Sequence, residues 1–445
     1  MPKAEHVKRQ ILDLVTRYYQ ETHLVLKNKE FRPGIDLVTV TGKVFDEKEI
    51  SYLVESGLEF WLTSGDFTEK FEKKLATYIG VKKSLFVNSG SSANLLALSA
   101  LTSPILEDRQ IKEGDEIITV AAGFPTTINP IFQIFAVPVF VDIQYKNGSY
   151  NLDTNDLEKA LSPKTKAVFV AHALGNPADL TLIKEFCKTH KLFFIEDNCD
   201  ALGSTFEGKR TGSFGDLSTN SFYPAHQMTT GEGGAVSSDD PFLMKLVTSF
   251  RDWGRDCWCP TGVDNTCRKR FDWQLGDLPE GYDHKYTYSH IGYNLKATEM
   301  QAAIGLGQME KLDGFLNQRR KNFNLAYAEL KTLEDHFYLP EMNQKAKPNW
   351  FGFPLTLKQD LRFKRKDLVN YLESKRIQTR ILFAGNYLRH PALKSLDPRK
   401  YKTVGKLENS NYVLENSFWF GVHHGLHEEK VSYTIDTIKD FIKRI

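Results

Sequence analysis

Short apolar runs alternate with polar-faced stretches through much of the chain. Between residues 84 and 238, β-branched and aromatic runs occur at SLFVN (84–88), EIITVA (116–121), VPVFVDI (137–143), AVFVAHA (167–173), LFFIED (192–197) and GAVSS (234–238). Each reads as a buried strand. The intervening SSANLLALSALTS (91–103), NLDTNDLEKALS (151–162) and LTLIKEFCKTHK (180–191) carry apolar positions at helical spacing. Strands and helices alternating at this interval predict βαβ units, hence an α/β fold with a mostly parallel central sheet covered on both faces. Such sheets bind ligands at the carboxyl ends of their strands, where NSGSS, AAGFPTT and EDNCD stand.

The flanks follow a different pattern. MPKAEHVKRQILDLVTRYYQ is an amphipathic helix with charges throughout, and it opens an N-terminal helical segment, 1–35. A large domain is expected over 36–335 and a smaller C-terminal α/β domain over 336–445, where WFGFPLTL predicts a strand and KRKDLVNYLESKRI and YTIDTIKDFIKRI predict helices. Residues 255–290 break the periodicity and are rich in Cys, Gly, Pro, Asp and aromatics. A loop of that length inside a compact domain is read as functional.

Composition removes several classes. At 445 residues, with 41% hydrophobic and 26% charged positions and a formal net charge of +2, the chain is an ordinary globular protein without a basic face for nucleic acid. No apolar stretch is long enough to span a membrane, and the N-terminus lacks the apolar core of a signal peptide, so a cytoplasmic protein is expected. Five cysteines in such a chain point to metal or catalysis rather than disulfides. Cys187, on a predicted helix, reads as core. Cys199, Cys257, Cys259 and Cys267 form C-x57-C-x-C-x7-C. Four thiolates suit a structural zinc or an iron–sulfur cluster, and the C-x-C with one distant partner fits paired zinc ligands poorly.

Taken singly, the other candidate residues are modest signals. Ser/Gly-rich Asn88–Ser92 after a strand can cradle an anion at a helix N-terminus or simply cap the helix. Asp197 at a strand end can pair with a pyridinium nitrogen or act as a cap. Phe124 can stack on a ring or belong to the core. In combination they say more. Gly90-Ser91-Ser92, Phe124, Asp197, Ser221-Phe222-Tyr223 and the Gly231–Gly234 run, in this order and spacing, resemble the DegT/DnrJ/EryC1 sugar aminotransferases, which are fold-type I pyridoxal-phosphate enzymes. In that family the serine corresponding to Ser221 binds the cofactor phosphate and a catalytic lysine lies five residues on. Here that position is His226, in SFYPAHQMTTGEGGA. Imidazole makes no stable covalent link to the cofactor, but it exchanges protons near neutral pH.

The resemblance narrows further. VAAGFPTTINP, IEDNCDALGSTF, SFYPAHQMTTGEGGAV, SFRDWGRDCWCP, DNTCRKRF and GYDHKYTYSHIGYN are similar to the CDP-4-keto-6-deoxy-D-glucose 3-dehydratase family over essentially the whole chain. That resemblance implies pyridoxamine 5′-phosphate (PMP, the amine form of PLP) as cofactor and His226 as the proton-transfer residue, with Tyr223 assisting. It implies cofactor contacts from Gly90, Ser91, Ser92, Phe124, Asp197, Asp200 and Ser221, and from Asn294 across a homodimer interface; Asn294 alone reads equally as a helix cap. It further implies a [2Fe–2S] cluster on Cys199, Cys257, Cys259 and Cys267, fed by an NAD(P)H-dependent flavin and iron–sulfur reductase. The substrate would be a nucleotide sugar, either CDP-linked or dTDP-linked, on the route to dideoxyhexoses of lipopolysaccharide O-antigen. Arg268-Lys269-Arg270 beside Cys267 would balance an anionic cluster, dock the reductase, or form a plain solvated surface.

Overall fold

A computed structural model describes residues 2–27, 29–146 and 148–445. Met1 of the expected N-terminal segment lies outside the described residues. The remaining segment forms a helix over Pro2–Tyr19 that continues through a wider-wound stretch, Gln20–Leu24, to Lys27.

The central sheet has eight strands: β1 (Lys83–Val87), β2 (Glu116–Val120), β3 (Val137–Val141), β4 (Thr165–Ala171), β5 (Phe193–Asp197), β6 (Leu217–Ser221), β7 (Gly234–Ser238) and β8 (Lys402–Thr403). Their spatial order is β1-β7-β6-β5-β4-β2-β3-β8. Pairing is parallel from β6 to β8, while β7 runs antiparallel to both β1 and β6. The expected mostly parallel sheet is therefore present, closed at one end by an antiparallel strand.

β6 was not legible as a strand because its sequence, LSTNS, has no apolar run. It is nonetheless buried along its whole length. Its polar side chains are bonded inside the fold: Ser218 Oγ donates to the Gly212 carbonyl at 2.7 Å and Thr219 Oγ1 to Asn94 Oδ1 at 2.6 Å. Buried hydroxyls with partners cost little, so tertiary partners allow what composition disfavours. The helix expected over 151–162 is a correction in the other direction. Only a 3-10 turn at Thr154–Asp156 and one turn at Leu157–Ala160 form, because Asp153 caps at the backbone of Asn155 and delays helix entry.

The C-terminal strand and helices are found at Gly352–Leu357, Arg365–Ser374 and Glu428–Lys443. Gly352–Leu357 joins a second, four-stranded antiparallel sheet with Phe337–Tyr338, Ser417–Gly421 and Thr379–Ile381. This C-terminal part also reaches back, since β8 extends the large sheet and Ile377 bridges to Val38. Between the two sheets lies a 32-residue helix, Glu299–Leu330. It carries Leu316, Phe323 and Ala326 into the core, and it brings one arginine, Arg319, with them. Among the described residues no helix is long and apolar enough to cross a membrane.

Candidate active site

Strand register assembles the site. Gly234, at the start of β7, pairs with Val87 on one side and Ser221 on the other. The loop after β1 and the loop after β6 are thereby brought side by side. A Cβ on Gly90 would sit 2.4 Å from the Ser221 Cβ, and one on Gly234 would sit 2.3 Å from the Ser89 carbonyl oxygen. Only glycine permits that approach. Ser89 caps the helix Gly90–Ala100 by accepting from the Ser92 N–H at 3.0 Å. The helix N-terminus, Ser91, Ser92 and Ser221 thus form a cradle of N–H and O–H donors of the kind that holds a phosphate.

Asp197 closes β5 and is buried. Its Oδ2 accepts from Asn94 Nδ2 at 2.9 Å and Thr127 Oγ1 at 2.7 Å, and its Oδ1 accepts from the Cys199 N–H at 3.1 Å. Asn94 and Thr127 went unnoticed in the sequence. Asn94 lies two residues beyond NSGSS and Thr127 is the last residue of GFPTT, but only the fold turns both toward one carboxylate. Phe124 is half exposed at the mouth of this space, at 52%, with its ring edge-on to Phe383. It therefore has a free face, and it is not core. Asn88 Oδ1, in the motif after β1, and His226 Nδ1 are buried polar atoms with no protein partner. A phosphate cradle, a buried carboxylate, an aromatic with an open face and unsatisfied polar atoms together fit a pyridoxamine or pyridoxal phosphate.

His226 stands at the end of the turn begun by Tyr223, whose carbonyl accepts the His226 N–H at 3.0 Å. Beneath that turn Phe222 packs with Phe71 and Phe86. The His226 ring lies 5.2 Å from that of Phe351, and its Nδ1 is 3.5 Å from Asp200 Oδ1, just beyond a hydrogen bond. Burial, reinforced by the positive charge of Arg319, drives the imidazole down to about 3. It is neutral at any working pH. Tyr223 is 52% exposed above it.

Asp200 is displaced in the opposite sense. Burial, then repulsion from Asp197, pushes its carboxyl up to about 8 from 3.8. The folded chain therefore holds a proton there that the unfolded chain releases across that interval. The stability this contributes is whole below about 3.8 and is lost as pH rises to about 8. Asp200→Asn removes the proton. The variant's melting temperature should exceed that of the cofactor-free parent by a margin that grows from pH 5 to 8 and then levels, worth at most on the order of 5 kcal/mol. His226 has the reverse slope below 6.5, so the difference between the two proteins, not either curve alone, reports Asp200. Parallel melting curves would refute this assignment.

Asn294 is exposed and forms a backbone bridge with Asp252; beside it Ile291 is 96% exposed. Asn294 is remote from the helix cap position its alternative reading required, since the Glu299–Leu330 helix is capped by Thr298.

The cysteines divide. Cys257, Cys259 and Cys267 line one cavity together with Asn265, Arg270, His284 and Lys285. Arg270 is held by Asp283 and Asp264, and Cys259 Sγ lies 3.0 Å from Thr266 Oγ1. Cys199 does not line that cavity; it lies partly buried next to Asp197, and loss of solvent, then the Asp197 and Asp200 carboxylates, push its thiol well up. Among the described residues no three His, Cys, Asp or Glu side chains are spaced to hold a metal ion. The expected four-cysteine set is therefore not assembled in this structure, where three thiols share a cavity and the fourth stays in the cofactor loop. Residues 255–290 contain no strand or α-helix, and the loop carrying the thiols is held by scattered backbone hydrogen bonds, packed rings and ion pairs. Cys187 packs in the core, as anticipated.

Comparison with known proteins matches this geometry. Residues 44–439 match the DegT/DnrJ/EryC1/StrS aminotransferase family. The chain is 49% identical over 438 residues to the lipopolysaccharide biosynthesis protein RfbH of Salmonella typhimurium, covering 98% of each. It is 46% identical over 437 residues to a dTDP-4-dehydro-2,6-dideoxy-D-glucose 3-dehydratase of Saccharopolyspora spinosa, covering 98% of this chain and 92% of that protein. The solved structure of E. coli GDP-4-keto-6-deoxy-D-mannose-3-dehydratase with bound hydrated PLP superposes with a TM-score of 0.81 at 28% identity, over 90% of this chain and 99% of that one. With the family match spanning most of its length and the fold in agreement, the chain belongs to the DegT/DnrJ/EryC1/StrS aminotransferase family and adopts the fold-type I PLP transferase fold.

Proposed function

We propose that this protein is a PMP-dependent 3-dehydratase of a nucleotide-linked 4-keto-6-deoxyhexose, acting in dideoxyhexose synthesis for lipopolysaccharide. The observation that carries the reading is His226, a partly buried imidazole held neutral, standing where an aminotransferase needs its lysine beside the assembled Ser/Gly cradle and Asp197. Pyridoxamine phosphate, when bound, supplies an amine that condenses with the substrate's 4-ketone and a ring that spreads the resulting charge. Gly90, Ser91, Ser92 and Ser221 hold its phosphate. Asp197, fixed by Asn94 and Thr127, keeps its ring nitrogen protonated. Phe124 covers a ring face, and Asp200 lies alongside. His226 would accept on Nε2, the ring nitrogen not turned toward Asp200, a proton from the amine-bearing carbon of the bound cofactor, and Tyr223 at the mouth would assist in passing it to the 3-hydroxyl, which leaves as water. The exposed Asn294 and Ile291 support a homodimer that shares its sites.

The motifs shared with the CDP-4-keto-6-deoxy-D-glucose 3-dehydratases support a CDP-linked substrate, RfbH supports the lipopolysaccharide role, and the Saccharopolyspora relative supports a dTDP-linked substrate. Incubating the protein with PMP and each of CDP-, dTDP- and GDP-4-keto-6-deoxyhexose, with an NAD(P)H-dependent reductase, should show loss of the 3-hydroxyl, fastest with the CDP sugar. Amine transfer to the sugar with the 3-hydroxyl retained would overturn the proposal.

A [2Fe–2S] cluster on Cys199, Cys257, Cys259 and Cys267, reduced by that reductase, belongs to the same reading on its cysteine spacing. Cys257→Ala is expected to abolish visible absorbance and about two irons per chain while leaving C3 dehydration within roughly threefold of the parent; a colourless, iron-free parent protein rules the cluster out.

A further inference from the structure

Arg319 is the least explained group in the molecule. It lies on the inner face of the Glu299–Leu330 helix, 1% exposed, and all its hydrogen bonds go to neutral acceptors. Nη2 donates to the carbonyls of His226 at 2.8 Å and Ala225 at 3.3 Å. Nη1 donates to those of Phe351 at 3.2 Å and Trp350 at 3.5 Å, and Nε to His424 Nδ1 at 3.3 Å. A buried cation without a contacting carboxylate is costly, and a neutral donor of the same size would satisfy some of these carbonyls at less cost. Its retention needs a use for the charge and for the planar fork.

The fork spans two segments that meet at the proposed proton-transfer site: the turn carrying His226 and the strand entry carrying Phe351, whose ring faces the imidazole. We propose that Arg319 is a positioning residue for His226, tying its turn to the Trp350–Phe351 segment and setting a fixed positive charge behind its imidazole. This deepens the functional reading above and rests on it. The charge disfavours a second cation beside it, so the imidazole is held neutral before the reaction, and once protonated it is a stronger acid that gives the proton up readily to the departing hydroxyl. The titratable groups facing His226 are Asp200 at 3.5 Å, Asp197 beyond it, Arg319 itself from the long helix and Tyr223 on the same turn; Phe351 contributes an uncharged ring. On the far side of Arg319, His423 and His424 are also held uncharged, by burial first and by the same guanidinium second. His424 can thus accept from Nε, and the arginine's charge stays unneutralised.

The test separates charge from fork in the full-length protein. Histidine side chains labelled with 15N are followed by NMR against pH, with His226→Asn assigning the resonance, and kcat and KM are measured on the PMP-loaded enzyme. In the parent, His226 should remain neutral down to about pH 5. In Arg319→Gln, which keeps an amide donor but no charge, its titration should rise by about one pH unit or more. In Arg319→Lys, which keeps the charge but not the fork, the titration should stay low while kcat falls roughly tenfold at unchanged KM. A parent His226 titrating near its ordinary value overturns the proposal, and this needs no variant to fold. So does a folded Arg319→Gln with an unmoved titration, which would leave the arginine a structural tie alone. The NMR arm needs no substrate, so a protein that titrates as stated but removes no hydroxyl would refute the proposed reaction and not the role of Arg319.

Discussion

His226→Asn should slow loss of the substrate's 3-hydroxyl by roughly 10²- to 10⁴-fold, the range a positioned general base contributes. Asparagine is close in size and keeps a polar tip near Asp200, so the turn under it, packed on Phe222, should hold; circular dichroism and melting temperature should match the parent. Cofactor affinity should change little, since the phosphate cradle and Asp197 are untouched. His226→Lys is the sharper companion. It restores the amine that relatives with the same cradle possess, and it should produce a covalent complex with pyridoxal phosphate, visible by absorbance, while dehydration falls. Full dehydratase activity in either variant would remove His226 from the reaction.

Asp197→Asn carries the second large effect. Three donors converge on this carboxylate, from Asn94, Thr127 and the Cys199 backbone. An amide in its place must turn its own NH2 toward one of them, and it offers no charge to a ring nitrogen. Losing one partner of a buried ion pair costs about 3–5 kcal/mol, which corresponds to cofactor affinity weakened roughly 10²- to 10⁴-fold. Titration of the apo-protein with PMP, followed by absorbance, measures this directly. A dissociation constant within threefold of the parent would show that Asp197 does not face the ring nitrogen.

Much of this was open to reading along the chain because it depends on local pattern. Strands such as EIITV and VPVFV are continuous apolar runs, and burial on both faces of a parallel sheet demands such runs. The Ser/Gly motif after β1, Asp197 at the end of β5 and His226 five residues after Ser221 are defined by neighbours in sequence, so order and spacing located them. β6 escaped because its stability comes from partners far away in sequence. The helix expected after Asn151 shrank because an aspartate cap competes locally with helix entry.

The cysteines mark the other limit. Spacing grouped four of them, and the fold brings three into one cavity while Cys199 lies beside Asp197, since a loop without regular structure takes its path from scattered contacts that no periodicity encodes. Arg319 marks it too: in the sequence it is one of two adjacent arginines in NQRR, indistinguishable from a surface charge. What the chain order alone determined was most of the strands, the Ser/Gly motif after β1 and the exchange of lysine for histidine, because each follows from residues close together. Only the tertiary structure decided which groups surround that histidine and hold it neutral. Burial and charge at a point depend on every segment that meets there, and those segments are drawn from residues 197–200, 221–226, 319 and 350–351.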